Sequence, residues 1–256
     1  MDVSGIVAAL RPQFAGALVA TDFDGTLAPL VPDPERSRPV PGTVEALTAL
    51  AGRGAQVAVI TGRDARTVLR LGGLAAVPGL VVAGLYGMET WQDGTLSTPD
   101  TPEAIDRLRD RLPGILERGD PDVWLEDKRL SLVVHARKAA DPDAALAALH
   151  APVADLAAEL GFEVHPGSDV LELRLPGYDK AGALARLAAD HQTVLFLGDD
   201  LGDLPAFGEV RRLRDSGRTA YGVGVRSSNV AELDGAADAY VEDPVAAVAL
   251  LTELGR

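Results

Sequence analysis

Two carboxylates separated by one residue, Asp22 and Asp24, follow directly on the apolar run Ala17–Ala20, and Gly25 comes next. An apolar run of this kind reads as a buried strand. Asp-x-Asp-Gly at its end puts both carboxylates where the chain leaves a sheet, on the rim where open α/β sheets bind ligands. Asp22 in that position can act as a nucleophile and Asp24 as an acid/base. A plain turn is the competing reading, because Asp and Gly are common turn residues. Three further features tip the balance. Thr61-Gly62-Arg63 follows the apolar segment Gln56–Ile60, Asp199-Asp200 follows Val194–Leu197, and Lys180 opens a predicted helix. Each has an ordinary reading by itself: a helix start, loop carboxylates, a solvated lysine. Together, at strand ends, they form the set that phosphoryl transfer requires. That set is a carboxylate nucleophile, a hydroxyl and a cation to balance the phosphoryl oxygens, and carboxylates to hold a metal. Clustered aspartates repel one another unless a cation sits between them. An all-oxygen set suits Mg²⁺.

The elements that must position these groups alternate. Strands are predicted at Ala17–Ala20, Gln56–Ile60 and Leu80–Ala83, with helices at Thr43–Gly52, capped by Thr43, and Asp64–Leu71. This βαβαβ rhythm implies a parallel sheet. It then changes. A helix over Thr101–Arg118 precedes strands Val123–Glu126 and Leu130–Arg137. A helix over Asp143–Leu160 precedes strands Phe162–His165 and Val170–Arg174. This αββ-αββ unit reads as an α+β insertion edged by Pro99, Pro102 and Pro176-Gly177. The α/β rhythm resumes at a helix over Lys180–Asp190, with strands at Val194–Leu197, Tyr221–Val225 and Ala239–Val241 and a last helix capped by Asp243-Pro244. The expected domains are therefore a core of 1–98 and 176–256 and an inserted domain of 99–175.

Composition narrows the function. The chain has 256 residues, 47% of them hydrophobic, enough to bury a substantial core. With 24 Lys+Arg against 38 Asp+Glu, the net charge of −14 argues against nucleic acid as a partner. There are no cysteines, so disulfide and thiolate chemistry are excluded. No apolar run approaches the roughly 20 residues of a membrane span, and Met1–Leu10 has no signal-like pattern. The expectation is a cytoplasmic monomer that does not engage a membrane.

The sequence resembles the haloacid dehalogenase superfamily of phosphatases. Its four motifs are matched by Asp22-Phe23-Asp24-Gly25-Thr26, by Thr61-Gly62-Arg63, by Lys180, and by Gly198-Asp199-Asp200. Within the superfamily, the stretch from Val19 to Phe207 resembles the trehalose-6-phosphate phosphatase family. The matching pieces are Asp22–Pro29, Gly84–Glu89, Glu126-Asp127-Lys128 with Ser131, His135 and Arg137, Leu171-Glu172-Leu173-Arg174, and Gly198–Phe207. The resemblance implies a Rossmann-like core with an inserted cap domain, and a Mg²⁺-dependent hydrolysis of trehalose 6-phosphate through a phosphorylated Asp22. Asp24 would be the acid/base, with phosphate held by Thr61, Arg63 and Lys180. It implies a metal site of Asp22, Asp24 through its carbonyl, Asp199 and Asp200, with Asp203 behind it, and Asp200 or Asp203 orienting Lys180. It implies substrate-binding roles for Arg63, Glu89, Glu126, Lys128, His135, Arg137 and Glu172. Four positions depart from the family pattern. Tyr86 stands where His is usual, Gly202 and Leu204 where Thr and Glu are usual, and Ala181 where Gly is usual.

The insertion has its own physical reading. Glu126 and Lys128 alternate along a predicted strand and share a face, next to Ser131, His135 and Arg137 on the paired strand. Carboxylates and cations are natural hydrogen-bond partners for sugar hydroxyls. The alternatives are another sugar phosphatase of the superfamily, for sucrose phosphate or a glycosyl-phosphoglycerate, and a silent sugar-phosphate-binding module. Gly222-Val223-Gly224 is only a fragment of a dinucleotide fingerprint and lies too late in the chain.

Overall fold

The computed structural model describes residues 2–98, 103–167, 169–227 and 233–256. The chain divides into two compact units, Met1–Thr98 with Asp179–Arg256, and Pro99–Tyr178. In the first unit, α1 (Val3–Leu10) precedes β1 (Leu18–Thr21), α2 (Thr43–Gly52), β2 (Gln56–Ile60), α3 (Ala65–Gly72) and β3 (Val81–Gly84). A hairpin of β4 (Glu89–Gln92) and β5 (Thr95–Ser97) follows. The second unit runs α4 (Glu103–Leu116), β6 (Trp124–Asp127), β7 (Leu132–His135), α5 (Pro142–Leu160), β8 (Glu163–Gly167) and β9 (Val170–Arg174). The first unit is completed by α6 (Lys180–Leu187), β10 (Thr193–Gly198), α7 (Leu204–Asp215), β11 (Thr219–Val225), β12 (Ala239–Val241) and α8 (Pro244–Leu254).

The first unit is built on an eight-stranded sheet in the order β12-β11-β10-β1-β2-β3-β4-β5. The strands from β12 to β3 are parallel, and β4 and β5 add an antiparallel edge. The continuous apolar strands follow from burial on both faces. Val19, Val57, Val59, Leu195 and Leu197 point to one core, packed against α1, α2, α3 and α8. Their neighbours Leu18, Ala20, Ala58, Ile60 and Phe196 point to the other, packed against α6 and α7. Burying side chains of this size contributes about 1.5–3 kcal/mol each. The central strands end level, since Thr21 pairs with both Leu197 and Val59. The residues after them therefore emerge on a common rim.

The second unit carries a four-stranded antiparallel sheet, β6-β7-β9-β8. Leu132, Val134, Leu171 and Leu173 face the apolar cluster that includes Ile105, Leu108 and Leu112 of α4 and Leu149, Val153 and Leu156 of α5. The alternate residues form the opposite face. Trp124 pairs with His135, Glu126 with Val133, Val133 with Glu172, and Glu172 with His165.

Several local expectations are corrected. Thr43 does not cap α2; Gly42 does, at φ 91°, and the Thr43 hydroxyl donates to the Val40 carbonyl at 2.7 Å. The start of the helix expected over Thr101–Arg118 falls on residues outside those described, as do Pro99 and Pro102. Its described part is Glu103–Leu116. Strand β6 ends at Asp127, so Lys128 stands just past it, closing the turn by donating its N–H to the Ser131 carbonyl at 3.0 Å. Strand β7 ends at His135, which leaves Arg137 exposed in the turn beyond. Among the described residues, no helix is long and apolar enough to cross a membrane.

Candidate active site

The rim gathers the aspartates. Asp22 continues β1 by one residue, its N–H donating to the Leu197 carbonyl at 2.8 Å. Asp199 follows β10, and a short helical turn, Leu201–Asp203, brings Asp203 back beneath it. Lys180 is fixed as the first residue of α6 because the Asp179 side chain caps that helix, accepting from Gly182 N at 2.7 Å. From there its ammonium donates to Asp22 Oδ1 at 2.8 Å and Asp203 Oδ1 at 2.7 Å. All three side chains are buried. The other oxygen of Asp203 accepts from the N–H groups of Asp199 and Asp200, at 2.9 and 3.1 Å. Asp199 accepts from Thr26 Oγ1 at 3.4 Å and Ser227 Oγ at 3.1 Å. Carboxylate oxygens of Asp22, Asp199 and Asp203 lie within 4.8 Å of one another, a group able to hold a metal ion.

Close packing explains two glycines. A Cβ on Gly25, which sits at φ +81°, would come 2.0 Å from Asp199 Oδ2. One on Gly198 would meet Asp203 Cγ at 2.4 Å. Only glycine lets the backbone approach these carboxylates so closely.

The electrostatics is that of a site short of positive charge, with three carboxylates around one ammonium. Burial raises the Asp22 carboxyl well above its ordinary range. Lys180 opposes that, and Asp203, Asp200 and Asp199 add to it. Burial, then Asp203 and Asp200, push Asp199 up to about 7. Burial also raises Asp203, against the pull of Lys180. Burial draws the Lys180 ammonium down, but Asp203 and Asp22 outweigh it and leave it raised. A divalent cation among these oxygens relieves the repulsion, and a hard all-oxygen set is the chemistry Mg²⁺ accepts.

The sequence and the structure part company at several residues. Asp200, expected among the metal ligands, is exposed and accepts from Gly202 N at 2.9 Å. Asp203, expected behind the metal, joins the cluster, and of the two aspartates expected to orient Lys180 it is the one that bonds it. The two are separated by a single turn, in which Asp200 occupies the outward N-cap position. Arg63, expected on phosphate, spans the Asp24 carboxylate, Nε to Oδ2 at 2.5 Å and Nη2 to Oδ1 at 2.7 Å. Thr61 lies buried at the end of β2, its hydroxyl accepting from Arg63 N at 3.1 Å. Glu89, expected to bind substrate, is buried and accepts from Ala65 N at 2.5 Å, which fastens it to the start of α3. Leu85 and Tyr86 both adopt positive φ, 48° and 58°, and the Tyr86 hydroxyl lies 2.8 Å from where a Gly62 Cβ would stand. Positive φ at two successive non-glycine residues is uncommon and clusters at functional sites. The residues that sequence reasoning missed are Ser37, on the loop that follows β1, and Ser227, just past β11.

The second unit assembles its polar residues on the face of its sheet opposite the apolar cluster. Glu126 Oε2 lies 2.7 Å from His135 Nε2, and the His135 ring stacks on Trp124 with centroids 4.7 Å apart. Glu172 is buried. It accepts from Ser131 Oγ at 2.9 Å and faces Lys128 Nζ at 3.6 Å. Arg137 is not part of this group.

A parallel sheet with paired aspartates on its rim and an α+β unit inserted into its chain defines a haloacid dehalogenase-like hydrolase fold. A haloacid dehalogenase-like hydrolase from Bacteroides thetaiotaomicron shares it with a TM-score of 0.64 at 14% identity, over 92% of this chain and 98% of that one. The chain belongs to the trehalose-phosphatase family, whose model matches residues 20–244. A trehalose-phosphate phosphatase of Mycobacterium avium is 37% identical over 207 residues, 74% of this chain and 50% of the relative. The chain thus spans about half the length of the curated relatives it matches. The trehalose-6-phosphate phosphatase of Aspergillus fumigatus superposes with a TM-score of 0.75 at 24% identity, over 100% of this chain and 97% of that one.

Proposed function

We propose that the protein is a Mg²⁺-dependent phosphatase that hydrolyses trehalose 6-phosphate to trehalose and inorganic phosphate. The observation that carries the reading is the buried Asp22–Lys180–Asp203 chain beside Asp199, at the end of β1 in a member of this family. An Asp22 carboxylate oxygen bonds to phosphorus as the ester P–O bond breaks. The electron pair of that bond stays on the sugar oxygen, which takes a proton from Asp24. A water then gives its proton to Asp24 and its oxygen to phosphorus, and the Asp22–phosphorus bond breaks to return the carboxylate and release phosphate. Lys180 holds Asp22 in place and, with the Thr61 hydroxyl, balances the phosphoryl oxygens. Asp22, Asp199 and Asp203 are the side chains offered to the metal, which supplies charge neutralisation on the phosphoryl group when bound. Asp22, Thr61, Lys180 and Asp199 meet only phosphate and cation, and we assign selectivity for the sugar to the polar residues of the second unit's sheet.

The test is phosphate release across a panel of sugar phosphates with Mg²⁺ present. Trehalose 6-phosphate is expected to give the highest kcat/KM, and chelation to abolish turnover. A higher kcat/KM for sucrose 6-phosphate would move the assignment to a sister activity. No turnover on any member would leave a binding module.

Metal binding carries a pH signature. With Asp199 raised to about 7 by burial and its neighbouring carboxylates, it holds a proton below that pH, and a ligand must lose its proton to bind. Affinity should therefore rise as pH climbs through about 7. Mg²⁺ is expected to raise Tm more at pH 8 than at pH 6, measured on metal-stripped protein. An equal or smaller effect at pH 8 would count against Asp199 as a ligand.

The sugar face predicts a split between substrates. Glu126→Ala or Lys128→Ala should lower kcat/KM for trehalose 6-phosphate by roughly 10- to 1000-fold, about 1.4–4 kcal/mol, because the remaining polar groups lose a partner. p-Nitrophenyl phosphate, with no sugar to hold, should be affected far less. Parallel losses on both substrates would assign these residues to the fold or the chemistry instead.

A further inference from the structure

The segment between β1 and α2 includes a proline-rich loop, Pro29–Pro41, in which Ser37 is fully buried against the site. Ser37 Oγ donates to Asp24 Oδ1 at 2.8 Å. Arg63 spans the same carboxylate with two nitrogens, and its third, Nη1, donates to the Pro34 carbonyl at 3.0 Å. The loop is tied down around them. Arg38 Nη1 bonds the carbonyls of Glu35 and Ser37 at 2.8 and 2.7 Å, and Arg70 pairs with Glu35 at 2.8 Å. Oδ1 thus takes two donors and Oδ2 one, so the carboxylate plane is fixed while Oδ2 keeps accepting capacity for a proton. Burial alone would be satisfied by an alanine at position 37.

We propose that Ser37 is a positioning residue for Asp24, and that together with Arg63 it sets the rotation at which that carboxyl group meets the leaving oxygen. The inference rests on the phosphatase reading above and adds a residue to it. General acid catalysis needs the donor within hydrogen-bond reach of the leaving atom, and small misplacements are costly. The cost depends on the leaving group. A sugar alkoxide must be protonated as it departs, whereas p-nitrophenolate leaves without a proton.

The experiment measures single-turnover phosphoryl transfer from trehalose 6-phosphate and from a series of aryl phosphates of graded leaving-group basicity. It uses wild-type, Ser37→Ala and Ser37→Thr protein, with melting curves for each. Ser37→Ala is expected to lose about 10-fold on the sugar phosphate, progressively less as the leaving group becomes more acidic, with KM little changed. Ser37→Thr, which keeps the hydroxyl, should recover most of the rate. Should Ser37→Ala fail to fold, Arg63→Lys, which keeps the charge but not the fork, is expected to show the same dependence on leaving group. Equal losses across the series, or none, would overturn the inference while leaving the phosphatase reading intact. A wild-type protein that hydrolyses none of these esters would overturn both.

Discussion

Replacing Asp22 with asparagine is expected to abolish turnover while leaving the protein at least as stable as before. The amide keeps the size of the side chain but cannot attack phosphorus. Removal of a nucleophile in a covalent mechanism costs on the order of 10⁴-fold or more. The stability half of the expectation comes from the environment. Asp22 is buried, and its charged form is disfavoured by that burial and by repulsion from Asp203, Asp200 and Asp199 despite Lys180. Neutralising it removes that repulsion, and Lys180 keeps its contact with Asp203. Function and stability should therefore move apart, as they do where a site holds charge against its own burial. Turnover on trehalose 6-phosphate and a melting curve read both halves. Near-wild-type turnover in folded Asp22→Asn protein would sink the nucleophile assignment, and a large fall in Tm would mean that Asp22 serves the fold.

Lys180 should show the opposite balance. Lys180→Met keeps most of the side-chain volume but leaves Asp22 and Asp203 buried without their counter-ion. Breaking a buried pair by removing one partner costs about 3–5 kcal/mol, a fall in Tm on the order of 10 °C. Activity should drop by about 10²–10³-fold through the loss of a phosphate-facing cation. The stability loss has a pH sign. Without Lys180 the two carboxyls are raised further in the folded state. The native protein then binds more protons than the unfolded chain, and stability falls as pH rises. The deficit should be larger at pH 8 than at pH 5. Adding Asp22→Asn to Lys180→Met should return part of the lost stability, because the two residues are in contact and their effects are not additive. A Lys180→Met protein as stable as wild type at pH 8 would contradict the buried ion-pair account.

The parts of the molecule legible in the sequence are those where chemistry and local signal coincide. Continuous apolar runs marked the central strands. Because parallel strands end level, Asp22, Thr61 and Asp199 could be placed on one rim without knowing the strand order. Asp243-Pro244 announced the start of α8, and the Asp243 side chain accepts from Ala246 N at 2.8 Å. The β4–β5 hairpin went unread although Asp93-Gly94, a common two-residue turn pair, stands between its strands. Its apolar alternation is too short to stand out. Ser37 and Ser227 carried no signal, because a serine in a loop has no pattern until the fold brings it to a carboxylate. Asp200 and Asp203 could not be told apart, since one turn of backbone decides which faces solvent and which faces Lys180. Glu89 was placed toward substrate by its motif, and the fold adds that one of its carboxylate oxygens accepts from Ala65 N at the start of α3.

The phosphorylated aspartate is where fold, site and substrate meet in one observation. Wild-type protein is mixed with trehalose 6-phosphate and Mg²⁺, quenched in acid within a turnover, digested and mapped by mass spectrometry. One phosphoryl group is expected on the peptide that holds Asp22, formed at least as fast as steady-state turnover and absent from the Asp22→Asn protein. A phosphoryl group on another residue, or rapid hydrolysis with no phosphorylated enzyme at any quench time, would contradict this expectation.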